Sequence, residues 1–119
     1  MLDASAMLAY LKGERGRSAV RAVIARAALS TVNLGEVLSK SPQPDQDLED
    51  LAALGVRAHD FTSADALEVA RLYQRTRSAG LSIGDRACIA LASRLGAPVL
   101  TSDAAWGALS LGVVVRVIR

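Results

Sequence analysis

The chain is poor in the residues that usually build small metal and redox sites. It holds one cysteine, Cys88, and one histidine, His59, in 119 residues. A lone cysteine excludes an internal disulfide, and Cys88 reads as a small buried hydrophobe. A reducing compartment is therefore permitted. One His and one Cys, far apart in sequence, exclude a zinc site built from such ligands. His59 reads as a partly exposed structural residue near a strand end rather than a general base. Aromatics are only 3%, which excludes a platform of stacked bases as the main route to nucleic acid. No apolar run approaches the ~20 residues that span a bilayer, and nothing at the start resembles a secretory leader. The expectation is a soluble, cytoplasmic protein with no membrane contact. Lysine is scarce too: Lys12 and Lys40 are the only two.

What is present suits one compact domain over residues 1–119, since this length leaves no room for two. Hydrophobic residues make up 51%, enough for a core without staples. The net charge is +2 and the pI about 9.1, a mild basic bias. Its carriers are nearly all arginines, which suit bidentate phosphate contacts. With few aromatics, any nucleic acid must be bound through backbone charge and shape.

Apolar strand-like runs alternate with helical patterns. Leu2 opens a first short strand, and Ala4, Met7, Leu8 and Leu11 recur at helical spacing. A second helix is expected from about Arg15 to Ala27. Leu29 to Val32 reads as a strand, with Asn33 as N-cap of a helix towards Lys40. Ser41-Pro42-Gln43-Pro44 breaks it. Asp47, Glu49 and Asp50 load the first turn of the next helix, which suits its dipole. Val56 to Phe61 reads as a third strand. Thr62 or Ser63 caps a long helix to about Ser78, and Ser82 opens a helix that is apolar nearly all round and hence buried. Val99 to Thr101 is a fourth strand, a short turn follows Asp103, and Val113 to Ile118 is the last strand. Strands separated by helices predict an α/β fold: a three-layer α/β/α sandwich around a central parallel sheet.

In such sheets ligands bind at the carboxyl ends of the strands. Four acids fall there. Asp3 follows the first strand and Asp103 the fourth. Glu36 lies in the first turn of the helix after the second strand, and Asp85 in the first turn of the buried helix that precedes the fourth. Each has a local explanation. Asn33 to Glu36 and Ser82 to Asp85 resemble capping boxes, and Asp3 and Asp103 can be N-caps. Taken together they point further, because clustered carboxylates repel one another unless a cation intervenes. Hard divalent cations prefer such oxygen ligands, so the chemistry offered is Mg²⁺ or Mn²⁺.

These residues resemble a known family. Leu2-Asp3-Ala4-Ser5-Ala6 is similar to the opening of PIN-domain toxins of the VapC kind, and so is Thr31-Val32-Asn33-Leu34-Gly35-Glu36-Val37. The strongest match runs from Leu81 through Ser82-Ile83-Gly84-Asp85-Arg86-Ala87 to Ala92. Pro98-Val99-Leu100-Thr101-Ser102-Asp103 follows at the expected distance, and Gly112 to Arg119 looks typical of the ending. The resemblance spans the chain and rests on order and spacing rather than on any single motif. It implies a PIN-like fold and endoribonuclease activity dependent on Mg²⁺ or Mn²⁺, with Asp3, Glu36, Asp85 and Asp103 as both metal-binding and catalytic acids. Thr101 or Ser102 beside Asp103, and Ser5 beside Asp3, are supporting hydroxyls. Arg86, next to Asp85, is the candidate for contacting a substrate phosphate or pairing with an acid. Arg71, Arg75, Arg77 and Arg94 are candidates for a basic rim. The resemblance further implies an RNA substrate such as transfer or ribosomal RNA, a homodimer and a cognate antitoxin protein. One departure stands out. Only Met1 and Leu2 precede Asp3, where the family usually has a few apolar residues, which implies either a start placed too late or a loosely held first acid.

Two other readings compete. Phosphatases that form aspartyl-phosphate also place an aspartate after the first strand. They usually carry a second aspartate two residues on, here Ser5, and a late lysine, whereas Lys40 is the last. A catalytically silent PIN-like interaction module is the other alternative. The complete acid set argues against it.

Overall fold

The computed structural model describes residues 1–119. Four short parallel strands form two ladders. β1 (Ala28–Ser30) pairs with β2 (Arg57–His59), and β3 (Val99–Thr101) pairs with β4 (Val115–Val117). Leu2 joins the ladders. It bridges Leu100 in parallel on one side, and its N–H donates to the Ala28 carbonyl at 3.0 Å on the other. The order across the sheet is therefore β2, β1, the Leu2 segment, β3, β4. The first strand shrinks to a bridge because the chain turns into a helix directly at Asp3.

Alternation along the strands divides the apolar residues between two cores. Leu2, Leu29 and Leu100 face one cluster with Met7, Val20, Val37 and Leu51. Met1 and Val99 face the other, with Leu72, Ile89, Leu91 and Trp106. Helices α1 (Ala4–Leu11), α2 (Arg17–Arg21), α3 (Thr31–Ser39) and α4 (Pro44–Ala53) supply the first cluster, and α5 (Ser63–Thr76) and α6 (Ile83–Leu95) the second. This is the expected α/β/α sandwich. Buried α6 ends at Gly96, whose left-handed backbone (φ 62°) closes the helix before β3. Cys88 is fully buried, as its type suggests. Trp106 is buried too, with no exposure at all, and belongs to the core. Tyr73 lies on the surface, 48% exposed.

Several boundaries move. The expected helix from Arg15 to Ala27 is the short α2 followed by a 3₁₀ turn, Ile24–Arg26. There the bonds tighten to three-residue spacing, Val23 N–H to Val20 and Arg26 N–H to Val23, each 3.0 Å. The β-branched Val20, Val23 and Ile24 favour a continuous helix only weakly. The strand expected over Val56–Phe61 is only Arg57–His59, on the sheet's edge. The helix before it starts at Pro44, so Asp45 and Asp47 occupy its first turn. Most consequential is α3. Ser30 ends β1 and also caps the helix, its hydroxyl accepting from Val32 N–H at 3.2 Å. Asn33 is therefore inside the helix and not its cap, and Glu36 lies in the second turn, out of reach of a capping box. No helix is long and apolar enough to cross a membrane.

Candidate metal centre

The four acids come from four separate places in the chain and line one cavity of about 360 Å³ at the carboxyl ends of the strands. Asp3 is the best held. Its side chain caps α1, accepting from Ala6 N–H at 2.8 Å. Ser5 Oγ lies 2.8 and 2.9 Å from its two oxygens, and Thr101 Oγ1 donates to Oδ2 at 2.6 Å. Thr101 Oγ1 in turn accepts from Asp103 N–H, and Ser5 Oγ from Ser102 N–H, both at 3.0 Å. These bonds tie the Leu2 segment, the start of α1 and the end of β3 into one corner. A loosely held first acid is thus not what the short strand produces: Asp3 is 3% exposed. Of the supporting hydroxyls, Thr101 and Ser5 reach Asp3, while Ser102 contributes its backbone N–H.

Asp85 and Asp103 are held by one oxygen each. Asp85 completes a capping box on α6: Oδ2 accepts from Ser82 N–H at 2.8 Å, and Ser82 Oγ accepts from Asp85 N–H at 3.1 Å. Asp103 caps the 3₁₀ turn Ala104–Ala108, with Oδ1 accepting from Ala105 N–H at 2.9 Å. Glu36 is positioned differently. Asn33, one turn earlier on α3, turns its amide nitrogen to Glu36 Oε2 at 3.4 Å and to the Gly84 carbonyl at 3.0 Å. The Glu36 carboxylate packs over the bare Cα of Gly84, where a side chain would collide with it.

The electrostatics follow from the geometry. Burial raises the Asp3 carboxyl above its usual value. The hydrogen bonds from Thr101, Ala6 and Ser5 oppose this, and the charge of Asp85 adds to it. The buried Cys88 thiol is pushed well up, first by burial and then by Asp3, Asp85 and Glu36. Three acids therefore bear on the same buried point. None of the four acids has an arginine or lysine within ion-pair distance, although Asp65, Glu68 and Glu14 all do. The set offers hard oxygen donors with uncompensated charge, which fits Mg²⁺ or Mn²⁺. No three of the groups converge closely enough to hold an ion by themselves. That spacing suits a cation bound through one or two carboxylates with water completing its shell, the usual habit of Mg²⁺.

Arg86 corrects the expectation drawn from its neighbour. Its guanidinium is buried and donates to Thr76 Oγ1 (3.1 Å), the Leu81 carbonyl (2.7 Å) and the Thr76 carbonyl (3.3 Å). It also stacks 5.0 Å from the Tyr73 ring. Its nitrogens are engaged in tying α5 to α6, so it neither pairs with an acid nor presents itself to a phosphate. The basic rim shrinks for a similar reason. Arg94 is bound to Asp65, and Arg71 and Arg75 lie beside Glu68. Sequence reasoning missed Asn33 as a partner of Glu36, and Ser39 and Lys40 as cavity lining. All three lie three or four residues from Glu36, on α3 or at its C-cap, a same-face spacing that could have exposed them.

The fold is a parallel α/β sandwich with four carboxylates, none of them in an ion pair, at its strand ends. The sequence profile of the PIN domain family matches residues 1–110, and the chain belongs to that family. No curated protein matches it. Among solved structures it is similar to a chain of a toxin-antitoxin complex from Klebsiella pneumoniae, with TM-score 0.78, 17% identity, and 99% of this chain and 96% of that one covered. A chain of the DNA-bound VapBC from Salmonella typhimurium gives TM-score 0.75 at 18% identity, covering 100% and 97%. One from VapBC2 of Rickettsia felis, bound to a promoter DNA fragment, gives 0.69 at 18%, covering 98% and 96%. At these identities the likeness speaks for the fold.

Proposed function

We propose that this protein is the toxin of a toxin–antitoxin pair, of the VapC kind: a Mg²⁺- or Mn²⁺-dependent endoribonuclease that cuts a structured cellular RNA such as transfer or ribosomal RNA. The observation that carries the reading is the convergence of Asp3, Glu36, Asp85 and Asp103 on one cavity with no basic partner. The family and the toxin-antitoxin complexes that share the fold support it.

Asp3 and Asp85 are the principal ligands in this reading, with Glu36 and Asp103 completing the set. When bound, a divalent ion there makes water nucleophilic near neutral pH and neutralises charge on the phosphate. The chain's own groups prepare that site. Thr101 and Ser5 hold Asp3 in one orientation. The first turn of α6 holds Asp85 in place through the Ser82 N–H. Asp85 and Asp103 each use one carboxylate oxygen for a helix end and leave the other to the cavity. Glu36, seated over Gly84, orients water or metal. Lys40, the one basic residue that lines the cavity, is the candidate cation for an RNA phosphate.

The partners follow the same reading. An antitoxin segment would lie in the cleft lined by Leu8, Leu11, Lys12, Val37 and Lys40, which shares Leu8 and Lys40 with the acid cavity. A homodimer would cover the groove beside Tyr73 and Ile83, where Ile83 is 67% exposed.

The test is Asp85→Asn, assayed on RNA with Mn²⁺ and with EDTA. The variant is expected to lose cleavage while circular dichroism stays native. Unchanged cleavage by the variant, or full activity in EDTA, sinks the mechanism. Harmless expression of folded wild-type protein, with no growth arrest for an antitoxin to relieve, would favour a silent interaction module.

A further inference from the structure

We propose that Asn33 and Gly84 form a positioning latch that sets the Glu36 carboxylate beside Asp85; the proposal rests on the metal-binding reading of the acid cavity. Asn33 is 1% exposed. Its amide nitrogen carries two hydrogens and faces two acceptors, the Gly84 carbonyl at 3.0 Å and Glu36 Oε2 at 3.4 Å. One acceptor is on the acid of its own helix. The other is on the residue directly before the acid of α6. A single buried amide thus connects the mountings of two carboxylates that are otherwise 49 positions apart in sequence.

Two features argue that this arrangement serves the carboxylates rather than the core. Asn33 Oδ1 is buried with no partner. Flipping the amide would set that oxygen against two others, so the orphan is not relieved by rotation. An apolar side chain of similar shape would avoid the penalty of an unpaired buried acceptor. The donor end is what asparagine adds. Gly84 is the second feature. It is the second residue of α6 and is not among the glycines with positive φ, so its backbone does not require glycine. Alanine would favour the helix. Yet an added Cβ would run into the Glu36 carboxylate, with Cδ only 2.7 Å away. The missing side chain is the seat on which Glu36 rests.

The latch predicts a separation of stability from metal affinity. The colliding atoms belong to the free end of Glu36, so Gly84→Ala folds with an unchanged or higher melting temperature in EDTA. Its Mn²⁺ affinity, measured by calorimetry on stripped protein, falls about tenfold or more. Asn33→Leu shifts affinity the same way, and Asn33→Ser, which keeps one donor, lies between it and wild type. In a Glu36→Gln background both substitutions lose most of their effect, because they act through that carboxylate. Native Mn²⁺ affinity in Gly84→Ala, or full additivity with Glu36→Gln, overturns the latch. If Asn33→Leu does not fold, Gly84→Ala carries the decision alone. Should Glu36→Gln itself bind Mn²⁺ as tightly as wild type, the metal reading of the cavity fails and the latch with it. Weakened binding in Glu36→Gln beside native binding in Gly84→Ala removes the latch only.

Discussion

Two helices of this protein begin with the same device and put it to opposite uses. α5 starts with Thr62 and Asp65 in a capping box, and α6 with Ser82 and Asp85 in another. In both, the third helical residue is an aspartate that receives the cap's backbone N–H, at 3.0 Å and 2.8 Å. Their surroundings then diverge. Asp65 meets Arg94, which donates to both of its oxygens at 3.0 Å. Burial pushes the Asp65 carboxyl up, but the bonds from Arg94 and Thr62 outweigh it and leave it below its usual value. Asp85 meets other acids instead, and its charge raises Asp3. The first aspartate is neutralised by the fold. The second has no ion-pair partner in the fold. A capping box thus specifies where a carboxylate sits, and the tertiary neighbourhood decides whether it is structural.

That contrast can be broken experimentally, most sharply by activity. Asp85→Asn is expected to reduce Mn²⁺-dependent RNA cleavage by more than about a hundredfold, through loss of an electrostatic contact to the reacting centre. Asp65→Asn should stay within about twofold of wild type, since it lies outside the chemistry. Equal losses in a cleavage assay would mean that the two caps do not differ in role.

A metal titration followed by melting sharpens the same point. Saturating Mn²⁺ at about 100 times Kd should stabilise wild type and Asp65→Asn by roughly 2.7 kcal/mol. Asp85→Asn should lose most of that gain. An equal Mn²⁺ shift in both variants would place the cation elsewhere.

In metal-free protein the expected effects are smaller, and the signs differ. Asp65 has a depressed folded pKa, so its contribution is full above the unfolded value of about 3.9 and disappears as pH falls through the folded value. Asp3 is raised in the fold. Its burdened carboxylate therefore weakens the fold fully above the raised value, and that penalty is relieved as pH falls towards about 3.9. Asp65→Asn should flatten the acid loss of melting temperature while lowering stability near neutrality by about 1 kcal/mol, a modest figure because Arg94 is 40% exposed. A neutral-pH melting temperature at or above that of wild type would refute the structural role of the Asp65–Arg94 pair.

The smallest difference concerns the caps. Thr62→Ala and Ser82→Ala should each destabilise by about 1 kcal/mol. Only Ser82→Ala should also slow cleavage, by about tenfold, because Ser82 helps orient Asp85. Equal cleavage by the two alanine variants would separate Ser82 from the site.

Much of this molecule was legible in its sequence where local rules suffice. The Ser82–Asp85 cap, the strand Val99–Thr101 and the buried helix between them are local patterns, and they stand close to where the pattern puts them. Misreadings occurred where a residue served two elements or a distant partner intervened. Ser30 is at once strand end and helix cap, which displaced Asn33 and Glu36 by most of a turn. Arg86 follows Asp85 by one position, but a helix turns about 100° per residue, so it leaves the cavity and ties α6 to Thr76 and Leu81. Adjacency in sequence was a poor guide to adjacency in the site.

By itself, the sequence determined the alternation of strands and helices, the helix caps and the supply of oxygen donors without a histidine–cysteine set. These depend on short-range hydrogen bonding and on side-chain chemistry. Only the tertiary structure decided that Asp85 faces acids while Asp65 faces Arg94, that Asp3 is gripped by Thr101 and Ser5, and that Glu36 rests on Gly84. Those outcomes depend on distances between segments dozens of residues apart, and electrostatic energy is a function of distance and burial rather than of order along the chain.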